Sequence, residues 1–291
     1  MLLSFESRNI PKHISEKIAG TTECQVVSPD TAKSCHIIDI KAYPGIVNQS
    51  EIQSIIDSYR VYDRSNTISI FLVTDTCETY SIPENIRLYR TSLLASTKQA
   101  NEYLLPYIWD GIPTAFPPLP ATSTPVVGFC GLGSSYRIRT LYAFSEDERF
   151  TTNYILRNLF WGGSPHHPGL VRDFETNIRE SHFTICNRGK GNFSMRFYQT
   201  LSAGRIPVML NTDIELPFSD EIDWTKYIVL ADTEPELVEK TWTFWNTRDM
   251  VEAQKQSREL YDTYFAGTRY FDKIFRNFLE RRPISEAIGD S

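Results

Sequence analysis

The chain has 291 residues, enough for two α/β lobes or one large domain and well past the size at which disulfides or metals must hold a core together. Its 41% hydrophobic, 13% aromatic and 23% charged residues exclude disordered and fibrous classes. Thirty Lys and Arg against 36 Asp and Glu leave a formal charge of −6, which argues against a broad nucleic-acid surface but leaves room for a local anion pocket.

No run approaches the roughly 18 apolar residues of a spanning helix, and MLLSFESRNIPKH lacks the basic start and apolar stretch of a signal peptide. A soluble, cytoplasmic protein without membrane insertion is the expectation. Cys24, Cys35, Cys77, Cys130 and Cys186 are odd in number and scattered, so they read as reduced thiols.

Before Cys35 there is no clear strand signal. CHIIDI (35–40) and ISIFLVTD (68–75) are apolar runs that read as buried strands, and QSEIQSIIDSYR (49–60) between them puts Ile52, Ile55 and Ile56 on one helical face. The pattern predicts a βαβ unit and a parallel sheet. TSLLASTKQANEYLLPYIW (91–109) reads as helix. Five prolines in GIPTAFPPLPATSTP (111–125) then forbid helix and central strand. The expected division is a first lobe at 1–115, a linker at 116–125, a second lobe at 126–282 and a polar tail at 283–291. The second lobe reads as strand PVVGFCG, helix from about Tyr136, helix around residues 150–160, strand HFTICN, helix SMRFYQTLSA, strands IPVML and YIVLA, and long helices over 235–279.

The informative stretch is 181–218. Residues 183–186 form a short buried strand. Arg188, Gly189, Lys190 and Gly191 make a basic, Gly-rich loop, Asn192 or Ser194 caps the next helix, and Gly204 ends it. Two cations beside a helix N-terminus suit a phosphate or diphosphate. The Walker spacing is absent, and GLGSSY (131–136) lacks the third glycine of the dinucleotide fingerprint, so neither ATPase nor dehydrogenase is favoured.

Arg188-Gly189, Ser194-x-Arg196-Phe197, Ala203-Gly204-Arg205-Ile206-Pro207-Val208, Leu216-Pro217-Phe218 and Asp223-Trp224 resemble, in order and spacing, the signature of exostosin-like glycosyltransferases. Fainter likeness extends to Arg90-Thr91-Ser92, Asn101-Glu102 and the stretch 260–271. The resemblance implies a GT-B fold, in which two Rossmann-like lobes face across a cleft, with nucleotide sugar on the second lobe, acceptor on the first, and inversion at the anomeric carbon. Two departures stand out. Family members usually carry an N-terminal membrane anchor, so a trimmed, soluble version is expected. Where the family commonly has Glu, this chain has Gln199 in RFYQTL, which hydrogen-bonds ribose hydroxyls without a charge.

An inverting displacement needs a base for the acceptor hydroxyl and stabilisation of the leaving diphosphate. No D-x-D triplet occurs, so a metal-bound diphosphate is not expected, nor is any other cofactor. Arg188, Lys190 and Arg196 are the candidate cations, joined by Arg137 and Arg139 after strand PVVGFCG. With Ser194, Gln199, Asn211 and Glu215 they make the expected nucleotide-sugar set, Glu215 holding donor sugar hydroxyls. Arg90, Ser92 and Glu102 are the acceptor-binding candidates. For the base, Asp75 ends an apolar strand, and ligands sit beyond the carboxyl ends of strands in open α/β sheets; Asp39, Glu102 and Glu215 compete with it. His166 and His167 in GGSPHHPG read as surface or cleft rim, and Trp161 and Trp224 as core. The expected partners are a UDP-sugar, UDP-xylose being one candidate, and a glycan acceptor. The alternative is a catalytically silent nucleotide-sugar or glycan-binding module, and a dinucleotide oxidoreductase is weaker still.

Overall fold

The computed structural model describes residues 2–8, 17, 20, 25–26, 35–42, 48–58, 67–107, 112, 115–164 and 166–280. Its strands form two wholly parallel sheets. The first contains β1 (Leu2–Arg8), β2 (Gln25–Val26), β3 (Cys35–Ala42), β4 (Thr67–Thr74), β5 (Ile86–Arg90) and β6 (Glu102–Leu104), in the order β2-β1-β3-β4-β5-β6. The second contains β7 (Val126–Leu132), β8 (Thr151–Arg157), β9 (Phe183–Ile185), β10 (Ile206–Leu210) and β11 (Val229–Ala231), in the order β11-β10-β9-β7-β8. Helix α1 (Gln49–Ser58) belongs to the first lobe. The second carries α2 (Ser135–Ser145), α3 (Pro168–Arg179), α4 (Met195–Ser202), α5 (Glu234–Thr247), α6 (Met250–Tyr264) and α7 (Arg269–Glu280).

Counted within its own lobe, each sheet begins 2-1-3-4-5. Each therefore reverses direction between its first and third strands, at β1/β3 and at β7/β9, and such a switch opens a crevice beyond the carboxyl ends of those strands. Two Rossmann-like lobes of this kind make the GT-B type of architecture that the resemblance implies. A parallel strand covered on both faces must be apolar throughout, and Ile70, Phe71, Leu72 and Val73 of β4 are all fully buried. One face meets Ile52 and Ile56 of α1. The other joins a core shared by both lobes, in which Phe71 meets Phe271 of α7 edge-on at 5.7 Å. Tyr270 Oη of the same helix donates to Leu104 O at 2.6 Å, so the last helix returns to the first lobe.

Several elements differ from the sequence reading. β1 and β2 lie before Cys35, where Ser4, Glu6 and Ser7 break up the apolar run by which a strand is recognised. The stretch 91–109 is not a helix. It holds a 3-10 turn, Ala95–Thr97, and then β6, because its backbone bonds elsewhere: Ala95 N–H to Asp213 O at 2.9 Å and Leu105 N–H to Arg90 O at 2.8 Å. Residues 150–160 contain edge strand β8, whose β-branched and aromatic residues pair with β7. Helix α3 was not foreseen, although Pro168 opens its first turn as proline does.

Residues 115–125 form neither helix nor strand. They lie on the second lobe, where Leu119 exchanges two 2.9 Å bonds with the Gln254 amide. The tail 283–291 lies outside the described residues. Among those described, no helix is long and apolar enough to cross a membrane.

Candidate functional site

The switch in the second sheet brings two loops together, 133–134 after β7 and 186–194 after β9. Each leads into a helix. Ser134 and Ser194 stand at the N-caps of α2 and α4 with extended backbones, yet neither side chain caps its helix. Ser134 Oγ is buried and makes no hydrogen bond. Neither first turn is capped by its serine side chain, and both helices have the positive ends of their dipoles next to these loops. Gly204 ends α4 with φ 69°, in the left-handed region that suits glycine.

Four cations stand around these helix ends. Arg188 donates from Nη1 to Asn192 Oδ1 and from Nη2 to Lys190 O, both at 2.9 Å, and lies 5.4 Å from the centre of the Tyr136 ring. Its Nε is buried without a partner. Arg137, only 9% exposed, donates to Leu132 O at 3.0 Å and to Asn187 O at 3.4 Å. Its Nη2 reaches Gly189, where an added Cβ would stand 3.2 Å away. Burial and the neighbouring Arg196 push its pKa down to about 10. Arg196, 8% exposed, donates to Cys130 O at 2.7 Å and lies 4.3 Å from the Phe129 ring centre. Burial lowers its pKa too, and its contacts tie the ends of β7 and β9 together. Lys190 is exposed at the loop's tip.

Among the described residues no carboxylate forms an ion pair with any of these four. Unpaired buried guanidinium groups are costly, and clustering them adds repulsion. An anion held at this place would relieve both.

Asp75 follows the last residue of β4, as the strand-end argument expects, and the first lobe brings it onto the basic loop. A Cβ on Gly191 would lie 3.2 Å from Asp75 Oδ1 and 3.0 Å from Tyr107 Oη, so the two lobes meet here at backbone distance. Tyr107 Oη donates to Asp75 Oδ1 at 3.4 Å. Burial raises the Asp75 pKa above 3.8, opposed by the Tyr107 hydrogen bond and the charge of Lys190. The carboxyl is thus held closer to neutral pH than a solvated one, within reach of the cationic loop.

The other expected residues divide. Gln199 is half-buried on α4, and its side chain has no hydrogen-bond partner among the described residues. Arg139 faces away from the loop and pairs with Glu234 at 3.1 Å. Asn211 bonds Asp232 at 2.9 Å and receives the Asp213 N–H at 3.1 Å, and Glu215 pairs with Lys98 of the first lobe at 2.6 Å. Arg90 and Glu102, each 1% exposed, form a buried ion pair at 3.5 Å, and Arg90 donates to Glu78 O. Ser92 is buried and its Oγ accepts the Asn192 N–H at 2.8 Å. These three therefore brace the first lobe and its junction. His166 and His167 are exposed, with His167 Nδ1 accepting from Gly169 N–H at the start of α3. Trp224 is buried, its indole N–H bonded to Pro217 O at 2.9 Å. The side chains of Asp39 and Trp161 lie outside the described residues. Sequence reasoning assigned no role to Tyr107 or Tyr136, because nothing local marks a tyrosine whose partner comes from another element.

Residues 143–241 match the Exostosin GT47 domain. Zebrafish (Danio rerio) Exostosin-1c is 34% identical over 109 residues, covering 37% of this chain and 14% of that protein. Exostosin-like 1 of Homo sapiens is 32% identical over 114 residues, covering 39% and 16%. The match thus spans less than a fifth of the length of these relatives. Among solved structures, a glycosyltransferase from Rickettsia africae ESF-5 aligns at 10% identity and TM-score 0.41 over 97% of this chain and 99% of that one. WaaG, a glycosyltransferase involved in lipopolysaccharide biosynthesis, aligns at 9% and 0.42 over 94% and 99%. The matched residues run from the end of α2 into α5 of the second lobe and include the basic loop.

Proposed function

We propose that this chain, with its exostosin GT47 domain, is an inverting glycosyltransferase that moves a sugar from a UDP-sugar to a hydroxyl of a glycan acceptor without a metal ion. The observation that carries the reading is that Arg137 and Arg188, with Lys190 on the same loop, stand beside two helix N-termini that lack side-chain caps, and that among the described residues no carboxylate forms an ion pair with them. Such a place stabilises the charge that develops on a leaving diphosphate. Arg196 stiffens the strand ends beneath it. Gln199 on α4 has the hydrogen-bonding capacity for ribose hydroxyls.

Asp75 takes the acceptor proton in this reading. It approaches the loop from the opposite lobe, the side from which in-line attack on the anomeric carbon must come, and its raised pKa suits a general base. Metal independence is supported by the absent D-x-D triplet and by cations already standing where a metal would be needed.

The test is incubation with a panel of UDP-sugars and oligosaccharide acceptors, with released UDP and extended glycan measured. Transfer or hydrolysis of at least one donor is expected. Tight UDP binding with no turnover on any of them would favour the silent binding module instead.

A further inference from the structure

Asn192 sits where the basic loop, the first lobe and the segment after β10 meet. It is 1% exposed and uses its backbone N–H and both ends of its amide at once. Its N–H donates to Ser92 Oγ at 2.8 Å, and Nδ2 donates to Leu93 O and Asp213 O, both at 3.0 Å. Its Oδ1 accepts from Arg188 Nη1 at 2.9 Å and from Thr212 Oγ1 at 2.8 Å. Two carbonyls face the amino group and two donors face the oxygen, so turning the amide over would set like against like at Leu93, Asp213 and Arg188, leaving only the Thr212 hydroxyl able to adapt.

The partners come from three places. Ser92 and Leu93 belong to the first lobe, Thr212 and Asp213 to the second, and Arg188 is the loop cation. Asp213 is itself gripped by the first lobe, its carbonyl accepting from Ala95 N–H at 2.9 Å and its Oδ1 from Ser96 N–H at 3.0 Å. An arginine on a Gly-rich loop samples many rotamers unless it is held, and fixing it beforehand removes that cost from ligand binding.

We infer that Asn192 is a positioning residue: it fixes the Arg188 guanidinium while being held itself, in part, by Ser92 and Leu93 of the first lobe, so that docking of the acceptor lobe completes the diphosphate site. The inference rests on the proposed function. It adds that UDP affinity depends on contacts made in the other lobe, through one amide.

The experiment is a double-mutant cycle read by calorimetric titration with UDP on wild type, Asn192→Ala, Arg188→Ala and the double variant. Asn192→Ala weakens UDP binding roughly tenfold, and the double variant binds no more weakly than Arg188→Ala alone, because residues acting through one contact are not additive. Should Asn192→Ala not fold, Ser92→Ala replaces it in the same cycle, with a severalfold loss that vanishes in the Arg188→Ala background. A loss that persists undiminished in that background overturns the inference while leaving the proposed function standing. Wild-type protein that binds no UDP contradicts the proposed function, and the inference falls with it.

Discussion

Asp75 in the first lobe and Gly191 in the second approach so closely that a methyl group on the glycine would stand 3.2 Å from the carboxylate oxygen. This contact sets a carboxylate beside the cationic loop, and its protonation follows. Burial raises the Asp75 pKa above 3.8, while Tyr107 and Lys190 hold it down. A base works ionised, so the acid limb of kcat/KM should lie above pH 3.8. Removing the hydrogen bond in Tyr107→Phe takes away stabilisation of the ionised form and should move that limb to higher pH. A pH–rate profile of the two proteins checks it, and a limb that shifts downward or stays in place contradicts it.

Arg188→Ala should lower UDP affinity by about 1.5–3 kcal/mol, the range for a charge-assisted hydrogen bond to an anion. Calorimetric titration with UDP, AMP and NAD measures this, with UDP expected to bind most tightly to the wild type. Unchanged UDP affinity in a folded variant would return Arg188 to the role of a solvated loop residue.

His182 offers a test of stability. Its Nδ1 accepts the Val126 N–H at 3.0 Å, so Nε2 carries the proton and donates to Pro120 O at 3.0 Å. Burial holds its pKa below 6.5. The unfolded chain therefore takes up a proton near pH 6.5 that the folded chain refuses, and the folded state loses stability as pH falls from there toward the lower folded value. Thermal unfolding of wild type should show a falling Tm through this window, and His182→Gln a flatter dependence. Equal slopes would count against a neutral, buried His182.

Turnover should survive EDTA. Arg137, Arg188 and Lys190 already supply positive charge, and among the described residues no group of three His, Cys, Asp or Glu stands ready to hold a metal ion. Activity lost in EDTA and restored by Mn²⁺ would contradict the metal-free reading.

Much of this was legible in the chain. Strands β3, β4, β7 and β10 announce themselves as apolar runs because parallel strands are buried on both faces. The loop 187–194 is equally plain, since Gly and Arg before a helix have a local physical meaning. What escaped is non-local. β8, at a sheet edge, lacks that run, and the segment 91–104 is decided by partners such as Asp213 far along the chain. Arg90 and Glu102 look like binding residues until their mutual burial is known. Helical spacing already implies that Arg137 and Arg139 do not both face the loop, because residues two apart on a helix point roughly 200° from each other; the structure selects Arg137.

The most direct test of the account is Asp75→Asn, assayed for sugar transfer and for UDP binding in the same preparation. The change keeps the side chain's shape and leaves the cations of the other lobe in place. The expected result is UDP affinity near wild type with transfer slower by roughly 10²–10⁴, the size of general-base catalysis. Transfer at near wild-type rate in Asp75→Asn, with the loss appearing in Glu215→Gln instead, would show that the base lies elsewhere and that the meeting of Asp75 with Gly191 is a structural contact only.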